Sequence, residues 1–145
     1  MLIDLIAATA EEAQAIMSTP GHANVWPTLE AKTVDQVKLA SLAFILKGRP
    51  PEDEPVIEYM KTFRNLANGG EEGPWIELLP SDLVEGLAHL RDDQVEAVAN
   101  AWASTEEARL DRWNAKDVAS FLRELSAFAG SAQAQERKVL LWVCL

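Results

Sequence analysis

Three short apolar runs constrain this chain more than any other feature: LIDLIA at 2–7, WIELL at 75–79 and VLLWVC at 139–144. Each has the length of a strand, and none is stable alone, because buried backbone N–H and C=O groups without partners are costly. They are therefore expected to pair in one small sheet that takes in both ends of the sequence. The last run is continuous rather than alternating, which reads as a strand covered on both faces. Helical patterns fill most of the remaining chain. The expected fold is α+β and helix-dominated, with five or six helices around one small sheet formed by strands near 2–7, 75–79 and 139–144. At 145 residues, without an internal repeat or a long linker, the chain is expected to be a single domain over 1–145 with one core.

The helices announce themselves by their ends. Thr9 with Glu12 is a capping box for a first helix over 10–17, stopped by Ser18-Thr19-Pro20-Gly21. Thr33 with Gln36 is a second box, opening a helix from Val34 to about Lys47 whose second half, LASLAFIL, is apolar nearly all round and calls for cover on several sides. Gly48 is placed as its C-terminal cap. A third helix starts at Asp53 with Pro55 in its first turn, and Val56, Tyr59, Met60, Phe63 and Leu66 recur at helical spacing as its buried face. After WIELL comes a helical stretch with the buried stripe Leu83, Val84, Leu87, Leu90, Val95, Val98, Ala99 and Trp102, broken at Arg91-Asp92-Asp93 with Asp92 as the second cap. TEEARLDRW reads as a helix end or an irregular connection. Asn114 with Asp117 opens the most regular helix, with the stripe Val118, Phe121, Leu122, Leu125, Phe128, Ala129 and Ala132.

Charge narrows the partners. The net charge is −10, which disfavours nucleic acid and anionic membrane surfaces, since both need a basic footprint. Nearly all of it lies in one window: residues 71–107 hold ten acids and one base, Arg91. The candidate partner-binding residues are accordingly Glu71, Glu72, Glu85, Asp92, Asp93 and Glu96. Plain solubility and attraction to a basic protein both account for such a window. The single cysteine, Cys144, excludes an intramolecular disulfide and a cysteine-based zinc site, and is expected to be a buried structural thiol. The N-terminal MLIDLIAATAEEA lacks the basic region of a signal peptide, and no apolar run approaches the roughly 18 residues that span a bilayer, so the expected compartment is the cytoplasm.

No catalytic, cofactor or metal motif accompanies these features. His22 and His89 stand far apart without an HExxH or a cysteine pair, and no GxSxG is present. Gly69-Gly70 and Gly73 are turn glycines without a phosphate-binding lysine. The acidic doublets put adjacent side chains about 100° apart on a helix, which spreads charge rather than focusing it. Of the tryptophans, Trp75, Trp102 and Trp142 fall on apolar faces and read as core. Trp26 and Trp113 adjoin turns and are open to a second reading: lids on the core, or aromatic surfaces for a ligand.

Three segments taken together resemble the YfbM-like family of small bacterial proteins of unknown function: the N-terminal strand leading to a helix, VKLASLAFILKG ending at Gly48, and the closing helix followed by VLLWVCL. The strand-turn-helix WIELLPSDLVEGLAHL is similar in organisation. Where that family carries a Trp-Asp pair before the central helix, this chain has Val34-Asp35-Gln36. The resemblance implies a fold and brings no active-site residues. Small acidic bacterial proteins of this type also include antitoxin-like immunity proteins, an analogy of type alone.

Three functions therefore compete. The first is a non-enzymatic acidic binding protein, in its most concrete form an immunity protein acting on a basic partner. The second is a small-ligand sensor or enzyme whose site is assembled from distant residues, with Trp26, His22, Tyr59 and Trp113 as candidates. The third is an oligomeric scaffold.

Overall fold

Both ends of the chain meet in the middle of one sheet. In the computed structural model, which describes residues 1–145, strands β1 (Leu2–Ala8), β2 (Thr28–Glu30), β3 (Arg64–Asn68), β4 (Trp75–Leu78) and β5 (Lys138–Cys144) form an antiparallel sheet in the order β2-β1-β5-β4-β3. The three expected strands are its centre. β1 and β5 pair along their whole length, from Leu2 opposite Cys144 to Ala8 opposite Lys138. β4 joins the other edge of β5, with Ile76 opposite Trp142.

Seven α-helices surround the sheet: α1 (Ala13–Met17), α2 (Gln36–Leu46), α3 (Asp53–Met60), α4 (Ser81–Ala88), α5 (Val95–Ala103), α6 (Glu106–Leu110) and α7 (Ala115–Ala134). The fold is α+β with a helical majority, but the counts exceed the expected five or six helices and three strands. Alternation along β1 explains the layering. Ile3, Leu5 and Ala7 face a main core with Leu39 and Leu42 of α2, Leu83 and Leu87 of α4, Trp102 of α5, and Leu122 and Leu125 of α7. Ile6 and Ala8 point the other way, into a smaller core with Ala13 and Ile16 of α1, Ile76 and Leu140. Cover on both faces is why these strands are apolar at most positions, with exceptions such as Asp4 and Glu77, rather than at every second one.

Most helix ends follow local chemistry. Glu12 accepts from the Thr9 backbone N–H at 2.9 Å, completing the expected capping box. Gly48 takes φ of 72°, and the Gly48 and Arg49 N–H groups donate back to Ile45 and Phe44 carbonyls, the Schellman closure of α2. Asn114 caps α7 through the Asp117 N–H at 2.9 Å. TEEARLDRW resolves into α6, capped by Thr105.

Four expectations fail. The third helix stops at Met60, and Phe63 and Leu66 leave its stripe: Phe63 enters the main core, while Leu66 packs on the smaller one from β3. As an edge strand β4 would expose a row of unpaired backbone groups; pairing with β3, Ala67 opposite Ile76, satisfies them. At α2, Asp35 is the cap, accepting from the Lys38 N–H at 3.1 Å, and the Thr33 hydroxyl instead accepts from the Trp113 indole at 3.0 Å. Asp92 is likewise no cap; the Arg91 N–H donates to Gln94 Oε1 at 3.0 Å, and Asp92 Oδ1 accepts from Arg123 Nε at 3.2 Å. Cys144, expected to be buried, is half-buried beside the Glu72 carbonyl.

No helix is long and apolar enough to cross a membrane. The stripe of α7 is the seam between the helical layer and the sheet, and Leu125 within it is 1% exposed. Leu125→Ala should cost roughly 2–5 kcal/mol in chemical denaturation. A loss below about 0.5 kcal/mol, the range of surface changes, would place the stripe outside the core.

Candidate functional site

Glu71, Glu72, Glu85, Asp92, Asp93 and Glu96 are all exposed. Glu71 and Glu72 sit in the turn before β4, where the Leu145 N–H donates to the Glu72 carbonyl at 3.0 Å. The other four follow β4, on α4, on the 3-10 turn Asp92–Gln94 and on α5. β4 and its roughly 13 Å of strand therefore stand between two groups that are one window in sequence. Asp92 pairs with Arg123 and Asp93 with Arg91, both at 3.2 Å and both in solvent; Glu71, Glu72, Glu85 and Glu96 make no ion pair.

His22, Trp26, Tyr59 and Trp113 do not converge on one cavity; they occupy separate places. His22 is the most elaborated. Asp4 on β1 and Trp142 on β5 are direct cross-strand partners, so their side chains rise together from the face that carries the smaller core. The 3-10 turn His22–Asn24 lays the imidazole on both. His22 Nε2 lies 2.7 Å from Asp4 Oδ2, and the ring centroid is 4.6 Å from that of Trp142. The carboxylate accepts, so Nε2 carries the proton. Nδ1 makes no hydrogen bond within the chain, and no buried polar side-chain atom is left unpartnered, so Nδ1 opens to solvent. It faces an open groove of about 960 Å³ whose walls include Ile16, Met17, Pro20 and Thr28. Chemically this is a positioned acceptor, able to take a proton or a hydrogen bond from a ligand. Asp4, sitting inside an apolar run, was the available signal; nothing in the sequence pointed from it to His22.

Trp26 is a lid. It packs on the smaller core and donates its indole N–H to Glu12 Oε2 at 2.8 Å. The Thr9 backbone N–H and then that indole hold the Glu12 carboxyl below its ordinary value, against the opposing effect of burial.

Trp113 covers a charge that the sequence reading passed over. Lys38, on α2, is 4% exposed. Its ammonium donates to the Thr33 carbonyl at 2.8 Å and to the Asp111 carboxylate, with Asp35 Oδ2 at 3.8 Å. Trp113 lies over it, ring centroid 5.4 Å away, and meets Trp102 edge-on at 4.9 Å. The fully buried Trp102 donates its indole N–H to the Lys38 carbonyl at 2.9 Å. A buried ammonium needs such partners. Asp111 lies far along the chain from Lys38, so only folding brings the pair together.

Tyr59 belongs to a third cluster. Its hydroxyl donates to Asp82 Oδ1 at 3.0 Å, while Lys47 Nζ holds Asp82 Oδ2 at 2.5 Å. Burial first, then the bond and charge of Asp82, push the Tyr59 hydroxyl above its usual range. For Asp82, burial is the largest single effect and acts upward, but Lys47 and Tyr59 together hold the carboxyl below its ordinary value. Glu77, half-buried on β4 and hydrogen-bonded by Gln36 Nε2 at 2.9 Å, is raised by burial. No group of three or more His, Cys, Asp or Glu side chains is arranged to hold a metal ion.

Two measurements check these charges. Asp111→Ala strands the buried Lys38 ammonium and should cost about 2–3 kcal/mol in denaturant unfolding, whereas Lys38→Met, which keeps the packing and leaves Asp111 in solvent, should cost less. The reverse order would mean that the pair is not what holds Lys38. Glu77 has a folded-state value above the unfolded one, so its contribution is fully present below the ordinary value of 4.5 and is lost as pH rises through the raised value. Glu77→Gln, which can still accept from Gln36, should therefore be more stable than the parent at neutral pH, with the difference shrinking in acid. Equal pH profiles for the two proteins would contradict this. In comparisons with known proteins, no family model, no curated protein and no solved structure matches the chain.

Proposed function

We propose that the protein is a non-enzymatic acidic binding protein that docks a basic protein partner through the outer face of α4 and α5. The observation that carries this is the division of charge across that layer. Glu85, Asp92, Asp93 and Glu96 are exposed, while Leu83, Leu87, Val95, Ala99 and Trp102 of the same segments are buried, so the carboxylates stand outward as a set. Such a face attracts a basic partner from a distance and selects against acidic ones. The most concrete form of the reading is an immunity protein that blocks a basic toxin such as a nuclease. A reading frame for a secreted toxin beside the gene would support that form. The order of apolar segments supports a further reading, kinship with the YfbM-like family.

Association kinetics test the docking face. Exposed ion pairs add little to stability, so the triple change Asp92→Lys, Asp93→Lys and Glu96→Lys should leave the melting temperature nearly unchanged. With a partner captured from the source cell and then purified, the triple variant should associate about tenfold or more slowly at low salt, and the wild-type rate should fall as salt rises. Equal association rates at low salt would reduce this face to a solubilising one.

A second reading, a small-ligand sensor, draws on one specific observation: the solvent-facing Nδ1 of His22, with its tautomer set by Asp4. A ligand in that groove would shift the His22 ring signals in nuclear magnetic resonance, and His22→Phe would abolish its binding while preserving the fold.

A further inference from the structure

Cations are scarce on this protein, and where they go unpaired is informative. Of thirteen Lys and Arg residues, five make ion pairs: Lys38, Lys47, Lys61, Arg91 and Arg123. Of the remaining eight, Arg64, Arg137 and Lys138 line one cleft of about 840 Å³. They come from two parts of the fold. Arg64 opens β3, Lys138 opens β5, and Arg137 follows the end of α7. Antiparallel pairing brings these points to one end of the sheet: Arg64 is opposite Leu78 near the end of β4, and Lys138 is opposite Ala8 at the end of β1.

Arg137 is held in place by its backbone. The Arg137 and Glu136 N–H groups donate to Ala132 and Gln133 carbonyls, with Glu136 at φ of 57°. The negative end of the α7 dipole accounts for basic residues at 137 and 138. It does not account for Arg64, which a different strand brings to the same cleft. Acids nearby do not cancel the charge. Asp82 lines the cleft but is taken up by Lys47 and Tyr59. Glu11 also lines it, and Glu12 lies close enough to Arg137 for that guanidinium to lower its carboxyl. Three cations against these two carboxylates leave the cleft net positive on a chain of net charge −10. The Ser81 hydroxyl, which makes no hydrogen bond within the chain, is a further donor on the wall.

We infer that this cleft is a binding site for a small phosphate-bearing molecule. Two guanidiniums and an ammonium brought to one cleft from two segments, the start of β3 and the junction of α7 with β5, suit a tetrahedral group with several oxygens better than a planar carboxylate. The volume is that of a small-molecule site. Smallness matters, because a long polyanion would extend over the acidic surface, whereas a phosphate in the cleft is screened from distant carboxylates beyond about 8 Å at physiological salt. The cleft borders the first turn of α4 but uses none of Glu85, Asp92, Asp93 and Glu96.

Inorganic phosphate and a simple phosphate monoester, titrated at constant ionic strength and followed by nuclear magnetic resonance, test it. Both should give saturable shifts at cleft residues such as Thr62, Ser81 and Gln133. Arg137→Gln should weaken binding by about tenfold or more, as loss of one charge-assisted hydrogen bond does. Because Arg137 also closes α7, the double variant Arg64→Gln/Lys138→Gln, both exposed positions, should show the same loss with an unchanged melting temperature. Lys116→Gln, at the opposite end of the 20-residue α7 and so some 30 Å away, should bind within about twofold of wild type. Absence of saturable shifts would overturn the inference, as would equal weakening by Lys116→Gln, which would mark diffuse electrostatics. Tighter binding of a dicarboxylate than of phosphate would overturn the ligand class.

Discussion

The full-length pairing of β1 with β5 is the constraint on which the rest depends. Each strand alone would leave its backbone polar groups unpartnered inside an apolar environment; laid side by side from Leu2–Cys144 to Ala8–Lys138, they satisfy one another. The pairing joins the first and last strands, so the whole of the intervening chain leaves the sheet from β1 and returns to it at β5. It also fixes two faces at once. The main helical layer covers Ile3, Leu5 and Leu141, and the small α1 layer covers Ile6 and Leu140. Side-chain alternation makes this register hard to change, since a slip of one residue would exchange the two cores.

Polar groups carried into these layers are each matched to a partner from elsewhere in the chain. Lys38 meets Asp111 beneath Trp113, Trp102 meets the Lys38 carbonyl, Glu77 meets Gln36, and Asp4 meets His22. No buried side-chain nitrogen or oxygen is left without a partner. Such matches cost desolvation and return it only with good geometry, so they specify one packing of the helices more than they add stability. His22 differs in kind. Its bond to Asp4 uses one ring nitrogen and leaves the other facing a groove, and that asymmetry is what gives the site chemical potential.

The surface divides its charge in a similar way. Carboxylates crowd the outer face of α4 and α5, where a partner would meet them first, while three of the eight unpaired cations share the end of the sheet where β3, β5 and α7 meet. Long-range steering and short-range recognition obey different distances, because salt attenuates the first beyond about 8 Å while the second acts at contact inside a cleft. An acidic protein can thus repel polyanions as a body and still hold a small anion.

The sequence by itself determined the three central strands, the α+β class with its helical majority, the starts of the first helix and of α7, and the C-terminal end of α2, because hydrophobic runs and caps are local signals. Thr9 with Glu12, Gly48 and Asn114 did what their positions required. It misread Phe63 and Leu66 as part of a helical stripe, since their three-residue spacing continues that of α3, and only pairing with the edge of β4 turns the chain into a strand. It took Thr33 for a cap, when Trp113 from the far side of the fold claims that hydroxyl. It saw one acidic window where β4 makes two groups. The sites were least legible of all. Asp4 with His22, Lys38 with Asp111, and Arg64 with Arg137 and Lys138 are each assembled from segments that share no local pattern. Strand order and helix packing bring them together, and those are set by the burial of the whole chain rather than by any stretch of it.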